Sequence, residues 1–369
     1  MPFRRKRLCL SSSLTDMRGL YIHIPFCAQK CPYCDFNSYS GKLDIAESYV
    51  GRLIDEAKTY KNQQISTVYI GGGTPSILSA ELMKSLVTGI FENFEIAESA
   101  EITAEVNPGT VDENKLKVYR KIGINRLSVG VQSFDNEMLK ILGRIHDSEQ
   151  AKKVITTAFD VGFDNVSADL MFSYRGQTEE SWISDIETAI NLGIAHISCY
   201  GLKVEEGTPF HKNGMENLDE DTDRKLQEIT VKLLEKSGFL RYEISNFAKT
   251  GFESRHNLIY WHCGEYIGLG AGAHSYFEGK RFNNILSPEK YIGSEKIREN
   301  EMLLTEDDKI TEKFIMGMRL AEGVDEKYAA DKEALEKYIS EGYIKRDGTR
   351  VSFTEKGFDV SNYILSDII

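Results

Sequence analysis

Tyr21-Ile-His-Ile-Pro-Phe-Cys27-Ala-Gln-Lys-Cys31-Pro-Tyr-Cys34-Asp-Phe36 begins as an apolar, β-branched run and breaks into three cysteines within eight residues. Residues 20–24 have the composition of a strand, so the cysteines occupy the loop that follows it. Thiols crowded this tightly in a long, cysteine-poor chain point to metal ligation in a reducing compartment rather than to a disulfide framework. Iron–sulfur clusters are usually held by four thiolates. Here three lie together and residue 35 is Asp. Three thiolates on a four-iron cluster leave one iron open, a position that an α-amino-carboxylate chelator can take. The alternatives are a zinc site or three packed thiols; zinc favours paired knuckles with further ligands, no second knuckle follows, and the spacing favours the cluster.

Working outward, strand-like runs at 20–24, 68–71, 101–106, 126–131, 165–170 and 196–200 alternate with helical patterns at 45–60, 80–94, 114–122, 148–161 and 180–192. This alternation implies βαβ units on a parallel sheet, and the rhythm predicts an α/β fold: a partial (βα)6 TIM-like barrel. In such a barrel, chemistry gathers where strands end. The cysteines follow the first strand, Gly71-Gly-Gly-Thr-Pro75 the second, and Glu105-Val-Asn-Pro108 the third; Gln132 ends the fourth and Asp169 lies near the end of the fifth. One shared site is the expectation. Glycines at a strand end let a backbone approach a ligand closely. Glu105 can accept from hydroxyl or ammonium donors, Gln132 can donate and accept, and Arg144 can fork onto a carboxylate.

Beyond residue 202 the pattern predicts a charged helix at 219–237, a strand at 242–246 and an irregular Gly- and aromatic-rich stretch at 256–276. From 303 a small α+β, winged-helix-like module is expected, with helices at 306–320 and 332–341, a hairpin at 344–353 turning at Asp347-Gly348, and a final helix at 355–368. The domain reading is a disordered extension at 1–16, a barrel at 17–240, an extension at 241–302 and the C-terminal domain at 303–369. The run Arg4-Arg5-Lys6-Arg7 followed by serines lacks the apolar stretch of a secretory signal; it shares the Arg/Ser bias of transit peptides, and Met17 is an alternative start.

The chain has 369 residues, 41% of them hydrophobic, with 57 acidic against 45 basic side chains for a net charge of −12. That balance argues against nucleic-acid binding and against adhesion to an anionic membrane. No run approaches the ~20 apolar residues of a membrane span, and a cytoplasmic location is expected.

Residues 21–36 and the motifs after them resemble the radical S-adenosylmethionine (SAM) superfamily, and within it the branch of oxygen-independent coproporphyrinogen III oxidases and HemW haem chaperones. The resemblance covers residues 17–369. It implies a 4Fe–4S cluster on Cys27, Cys31 and Cys34, and SAM held by Tyr21, Tyr33, Gly72, Gly73, Thr74, Glu105, Gln132, Arg144 and Asp169. One departure is visible at Phe172-Ser-Tyr-Arg-Gly-Gln177-Thr178, where the branch has Gly-Leu-Pro-Gly-Gln-Thr; an altered rim is expected there. Phe36 stands where the oxidases place a further cysteine, and about 20 residues precede the first strand where they have a longer segment; both favour the chaperone group. His256-Asn-Leu-Ile-Tyr260-Trp261 matches a motif of that group, making His256 the candidate haem ligand, with His262 and Cys263 as neighbours and a packed histidine as the plain alternative. The implied function is to bind haem as cargo and deliver it to apoproteins, membrane-protein clients included but without membrane insertion. The alternatives are radical decarboxylation of coproporphyrinogen III, or a radical enzyme on another substrate, which would need an electron-donor protein. The catalytic residues of any such reaction stay open.

Overall fold

The computed structural model describes residues 18–369; the expectations for residues 1–16 and Met17 fall outside them. Six parallel strands pair in chain order: β1 (Gly19–Ile24), β2 (Gln64–Gly72), β3 (Glu95–Val106), β4 (Arg126–Gln132), β5 (Asn165–Phe172) and β6 (His196–Gly201). Between them run α1 (Ala46–Ala57), α2 (Ala80–Asn93), α3 (Glu113–Lys121), α4 (Asn136–Ile141), α5 (Ser148–Asp160) and α6 (Glu179–Asn191). Most of these helices start where the sequence supplies an acceptor for unpaired N–H groups: the side chains of Ser79, Asp112, Asp135, Asp147 and Thr178 each cap a helix. The expected α/β barrel architecture is what the chain forms.

Alternation within each strand decides what faces where. In β4, Leu127, Val129 and Val131 are fully buried against the helices, while Arg126, Ser128 and Gly130 are the intervening residues. The same division holds Ile102 and Ala104 against Thr103 and Glu105, Val166 and Ala168 against Ser167 and Asp169, and Ile197 against His196 and Ser198. The apolar set joins one large core with the helices. The polar set faces inward, linked by hydrogen bonds such as Ser128 to Asp169 and Ser167 to His196. The barrel thus has an oily outside, sealed by helices, and a polar inside.

Past α7 (Glu220–Lys236), β7 (Leu240–Arg241) and β8 (Asn246–Ala248) add antiparallel to the β6 edge. Of the single strand expected at 242–246, residues 242–245 instead connect these two strands and Asn246 begins β8. After α8 (Arg255–Trp261), β9 (Tyr266–Leu269) pairs parallel with β1 on the opposite edge, and β10 (His274–Phe277), β11 (Lys280–Asn284) and β12 (Arg298–Leu303) continue antiparallel, giving twelve strands in one sheet. The stretch expected to be irregular is therefore ordered. Its glycines serve close packing: at Gly270 (φ +105°) a Cβ would lie 2.6 Å from the Tyr49 hydroxyl and 2.7 Å from the His23 carbonyl.

The C-terminal module comprises α9 (Glu306–Met318), β13 (Val324–Asp325), α10 (Lys332–Ser340), the hairpin β14 (Ile344–Asp347) with β15 (Arg350–Phe353), and α11 (Ser361–Ile368). It has its own apolar core around Phe314, Leu335, Tyr338, Phe353 and Ile364. The one helix expected at 355–368 is two, Glu355–Asp359 and α11, parted at Val360 where φ reaches −119°. The module fastens to the sheet edge through Arg241, whose guanidinium lies 4.1 Å over the Phe358 ring and 3.1 Å from Glu355.

Candidate functional site

At the carboxyl ends of the strands lies a cavity of about 430 Å³. Cys27, Cys31, Tyr33, Cys34, Gly72, Gly73, Thr74, Glu105, Gln132, Arg144 and Asp169 all line it. The strand-end pattern thus converges on one place.

The cysteine loop is held from several directions. Tyr39 N donates to Pro25 O at 2.7 Å, returning the chain beside Phe26–Cys27 after the loop. From the next strand, Gly73 N donates to Ile24 O at 2.9 Å and Thr74 N to Phe26 O at 2.8 Å. Gly73 must be glycine here, because a Cβ would sit 2.9 Å from the Cys27 sulfur. Gly72 (φ +121°) is pinned likewise, its Cβ position falling 2.7 Å from the His23 ring. Burial pushes the Cys27 thiol up, opposed by the hydroxyls of Thr74 and Ser38, which favour the thiolate. Among the described residues no three His, Cys, Asp or Glu side chains converge as the ligands of a single ion do; the three thiols share a cavity wall.

Two carboxylates face each other deeper in. Glu105 accepts from the Tyr69 hydroxyl at 2.9 Å and from Gly72 N at 3.0 Å, and burial pushes its carboxyl up to about 7. Asp169 accepts from Ser128 Oγ at 2.9 Å and Ser198 Oγ at 2.7 Å, and burial raises it too. Beneath them Arg126, only 2% exposed, supplies the positive charge that opposes both shifts. Gln132 has φ +68° beside a register irregularity in β4, a left-handed backbone for a non-glycine residue of the site. Arg144 donates to Gly130 O at 2.9 Å and to the Cys31 sulfur at 3.4 Å rather than to a carboxylate.

Tyr21 and His256 stand outside the cavity lining. Tyr21 bonds to His23 Nδ1 at 2.9 Å and stacks on Tyr69 with ring centres 6.3 Å apart. His256 lies on the far side of Tyr69, its ring 5.2 Å away. It is 1% exposed; Nδ1 pairs with Thr67 Oγ1 and Nε2 with the Tyr260 hydroxyl, both at 2.8 Å. Burial and the nearby Arg126 hold it neutral, down to about 3. No ring nitrogen is free for iron in this arrangement. His262 is 3.6 Å from Glu322, and Cys263 is half-buried beside it. In the divergent 172–178 loop, Tyr174 is buried against Met138, Leu142 and Phe210, and Ser173 N donates to Gln177 at 2.8 Å.

Sequence reasoning missed Tyr69, Ser128, Ser198, Arg126 and Ser38. The signal for four of them was present: each is a polar or aromatic residue at an inward position of a strand whose alternate residues are aliphatic.

Residues 21–189 match the family model of the Radical SAM superfamily, and residues 304–360 that of the HemN C-terminal domain. A protein described as heme chaperone HemW from Lactococcus lactis is 35% identical, over 96% of this chain and 99% of its own. A protein of the same description from Bacillus subtilis is 36% identical, over 94% and 98%. The solved structure of coproporphyrinogen III oxidase (HemN) from Escherichia coli matches with a TM-score of 0.83 over 96% of this chain and 91% of that one; at 21% identity this is a likeness of fold.

Proposed function

The chain belongs to the radical SAM superfamily and within it to the HemW haem chaperones, and from that membership we propose that it binds haem, a 4Fe–4S cluster and SAM, and passes the haem to apoproteins. The observation that carries the cluster part is the convergence of Cys27, Cys31 and Cys34 on one cavity with Gly72, Gly73 and Thr74 of the neighbouring strand end.

The donor set fits the group. Three thiols with no fourth at Asp35 or Phe36 suit a four-iron cluster with one open iron. When bound, such a cluster supplies one electron to the sulfonium of SAM. This chain's own residues do the rest: Glu105 and Asp169 offer fixed acceptors, Gln132 an amide, and Tyr33 a flat face beside the third cysteine. Glu105 and Asp169 are already oriented by Tyr69, Ser128 and Ser198, so binding needs no side-chain search there. In this reading Tyr21 supports the site through Tyr69 instead of touching the cofactor, and the haem ligand is a group other than His256 while His256 keeps both bonds.

Delivery in the cytoplasm is part of the proposal. Among the described residues no helix is long and apolar enough to cross a membrane.

The test is anaerobic. The protein is reconstituted with iron and sulfide, titrated with haem, and mixed with an apo-haem protein. Retained haem that moves to the acceptor is expected. Conversion of coproporphyrinogen III to protoporphyrinogen in the presence of SAM and a reductant would overturn the chaperone reading.

A further inference from the structure

Each of the three cysteine sulfurs has a side-chain hydrogen-bond partner, Ser38 standing beside Cys27 as well as Cys34. Thr74 Oγ1 donates to Cys27 at 3.5 Å, Arg144 Nη1 donates to Cys31 at 3.4 Å, and Ser38 Oγ pairs with Cys34 at 3.8 Å. With Cys34 a thiolate, the Ser38 hydroxyl is necessarily the donor. The three partners come from separate parts of the chain: the turn after β2, the loop between α4 and α5, and the end of the cysteine loop.

All three are held in place independently of any cluster. Thr74 is fixed by its own N–H on Phe26 O. Ser38 is 3% exposed, with its N–H on Phe36 O at 2.7 Å. Arg144 is anchored to β4 by Nη2 on Gly130 O, and His146 Nε2 binds Val131 O at 3.1 Å one residue along that strand. Gly143 (φ +66°) lies flat on the cysteine loop, where a Cβ would come within 2.6 Å of Pro32 Cδ. Among the described residues Arg144 forms no ion pair with a carboxylate, so the sulfur is the anion that its charge meets.

A hydrogen bond to a cluster sulfur stabilises the reduced, more negative state over the oxidised one and raises the reduction potential. A charged donor does so more strongly than a hydroxyl. We propose that Thr74, Ser38 and Arg144 set the reduction potential of the cluster by donating one hydrogen bond to each ligand sulfur, Arg144 contributing most. They are positioning residues toward the cluster, and the proposal rests on the cluster reading above.

The test uses the full chain, reconstituted anaerobically without SAM, with iron and acid-labile sulfide counted before a redox titration followed by electron paramagnetic resonance. Ser38→Ala and Thr74→Val are each expected to make one-electron reduction up to about tenfold less favourable, ~59 mV more negative. Arg144→Gln is expected to exceed either. Thr74→Ser, which keeps the hydroxyl, should return to the wild-type potential, and Arg144→Lys should recover part of the loss; these two carry the measurement where the harsher variants load poorly. Fully loaded variants with the wild-type midpoint would overturn the proposal. A wild-type chain that takes up no four-iron cluster would instead overturn the cluster reading itself.

Discussion

The Tyr69 hydroxyl donates to Oε1 of Glu105 at 2.9 Å, binding the second strand to the third across the base of the cavity. Burial lifts the Glu105 carboxyl from 4.5 to about 7, so the native state keeps a proton that the unfolded chain releases. The stability this group contributes is therefore complete below pH 4.5 and is lost as pH rises through about 7. Asp169 adds in the same direction. Glu105→Gln removes the ionisation, and the loss of unfolding free energy between about pH 5 and about pH 8 should shrink by an amount on the order of 3 kcal/mol, flattening the fall in melting temperature. Melting curves of the two proteins across that range check this; parallel slopes would reject the assignment.

Removing any one of Cys27, Cys31 and Cys34 leaves two thiolates. Each Cys→Ala variant is expected to lose most of its iron after reconstitution, against about four irons in the parent, with far-ultraviolet circular dichroism unchanged. Cys199→Ala, a substitution in the buried face of β6, should retain the cluster. Iron retained at the parental level in the Cys31 variant would contradict the ligand set.

Gly73→Ala places a methyl 2.9 Å from the Cys27 sulfur. The expected result is cluster loading reduced several-fold in a protein that still folds, at a cost of about 1–3 kcal/mol. Gly51→Ala is the control: it lies in α1 with nothing within 4 Å of its Cβ position, and it should stabilise by about 0.5–1 kcal/mol through helix propensity.

His256→Ala breaks two buried hydrogen bonds and leaves Thr67 and Tyr260 without their partner. A loss of about 2–4 kcal/mol is expected in denaturant unfolding. Since both ring nitrogens are already engaged, the Soret band of haem-loaded protein should survive. Its disappearance in a variant that remains folded would return His256 to the ligand role.

Local chemistry made much of this legible beforehand. The cysteine spacing, the Gly71–Gly73 run and the strand-end polar residues each carry meaning within a few positions, and they proved to share one cavity. Long-range pairing was not legible. Nothing near Tyr266 announces that its strand will lie beside β1, because that partnership depends on residues almost 250 positions away. Glycines at 268–272 read as irregularity, whereas Gly270 answers to Tyr49 and His23, which only the fold brings near. The same reason hid Ser38 and moved Arg144: which sulfur a side chain meets is set by how two loops stack.

Alternation in the central strands has a consequence for how such a protein can change. Positions 127, 129 and 131 answer to the helices outside, and positions 126, 128 and 130 to the chamber within. Substitution in one series leaves the other largely unaffected, so a lineage built on this scaffold is free to rewrite its chemistry while its packing persists. An insertion or deletion of one residue in β4 has no such freedom: it turns leucine into the chamber and arginine into the oil, and loses the scaffold and the chemistry together.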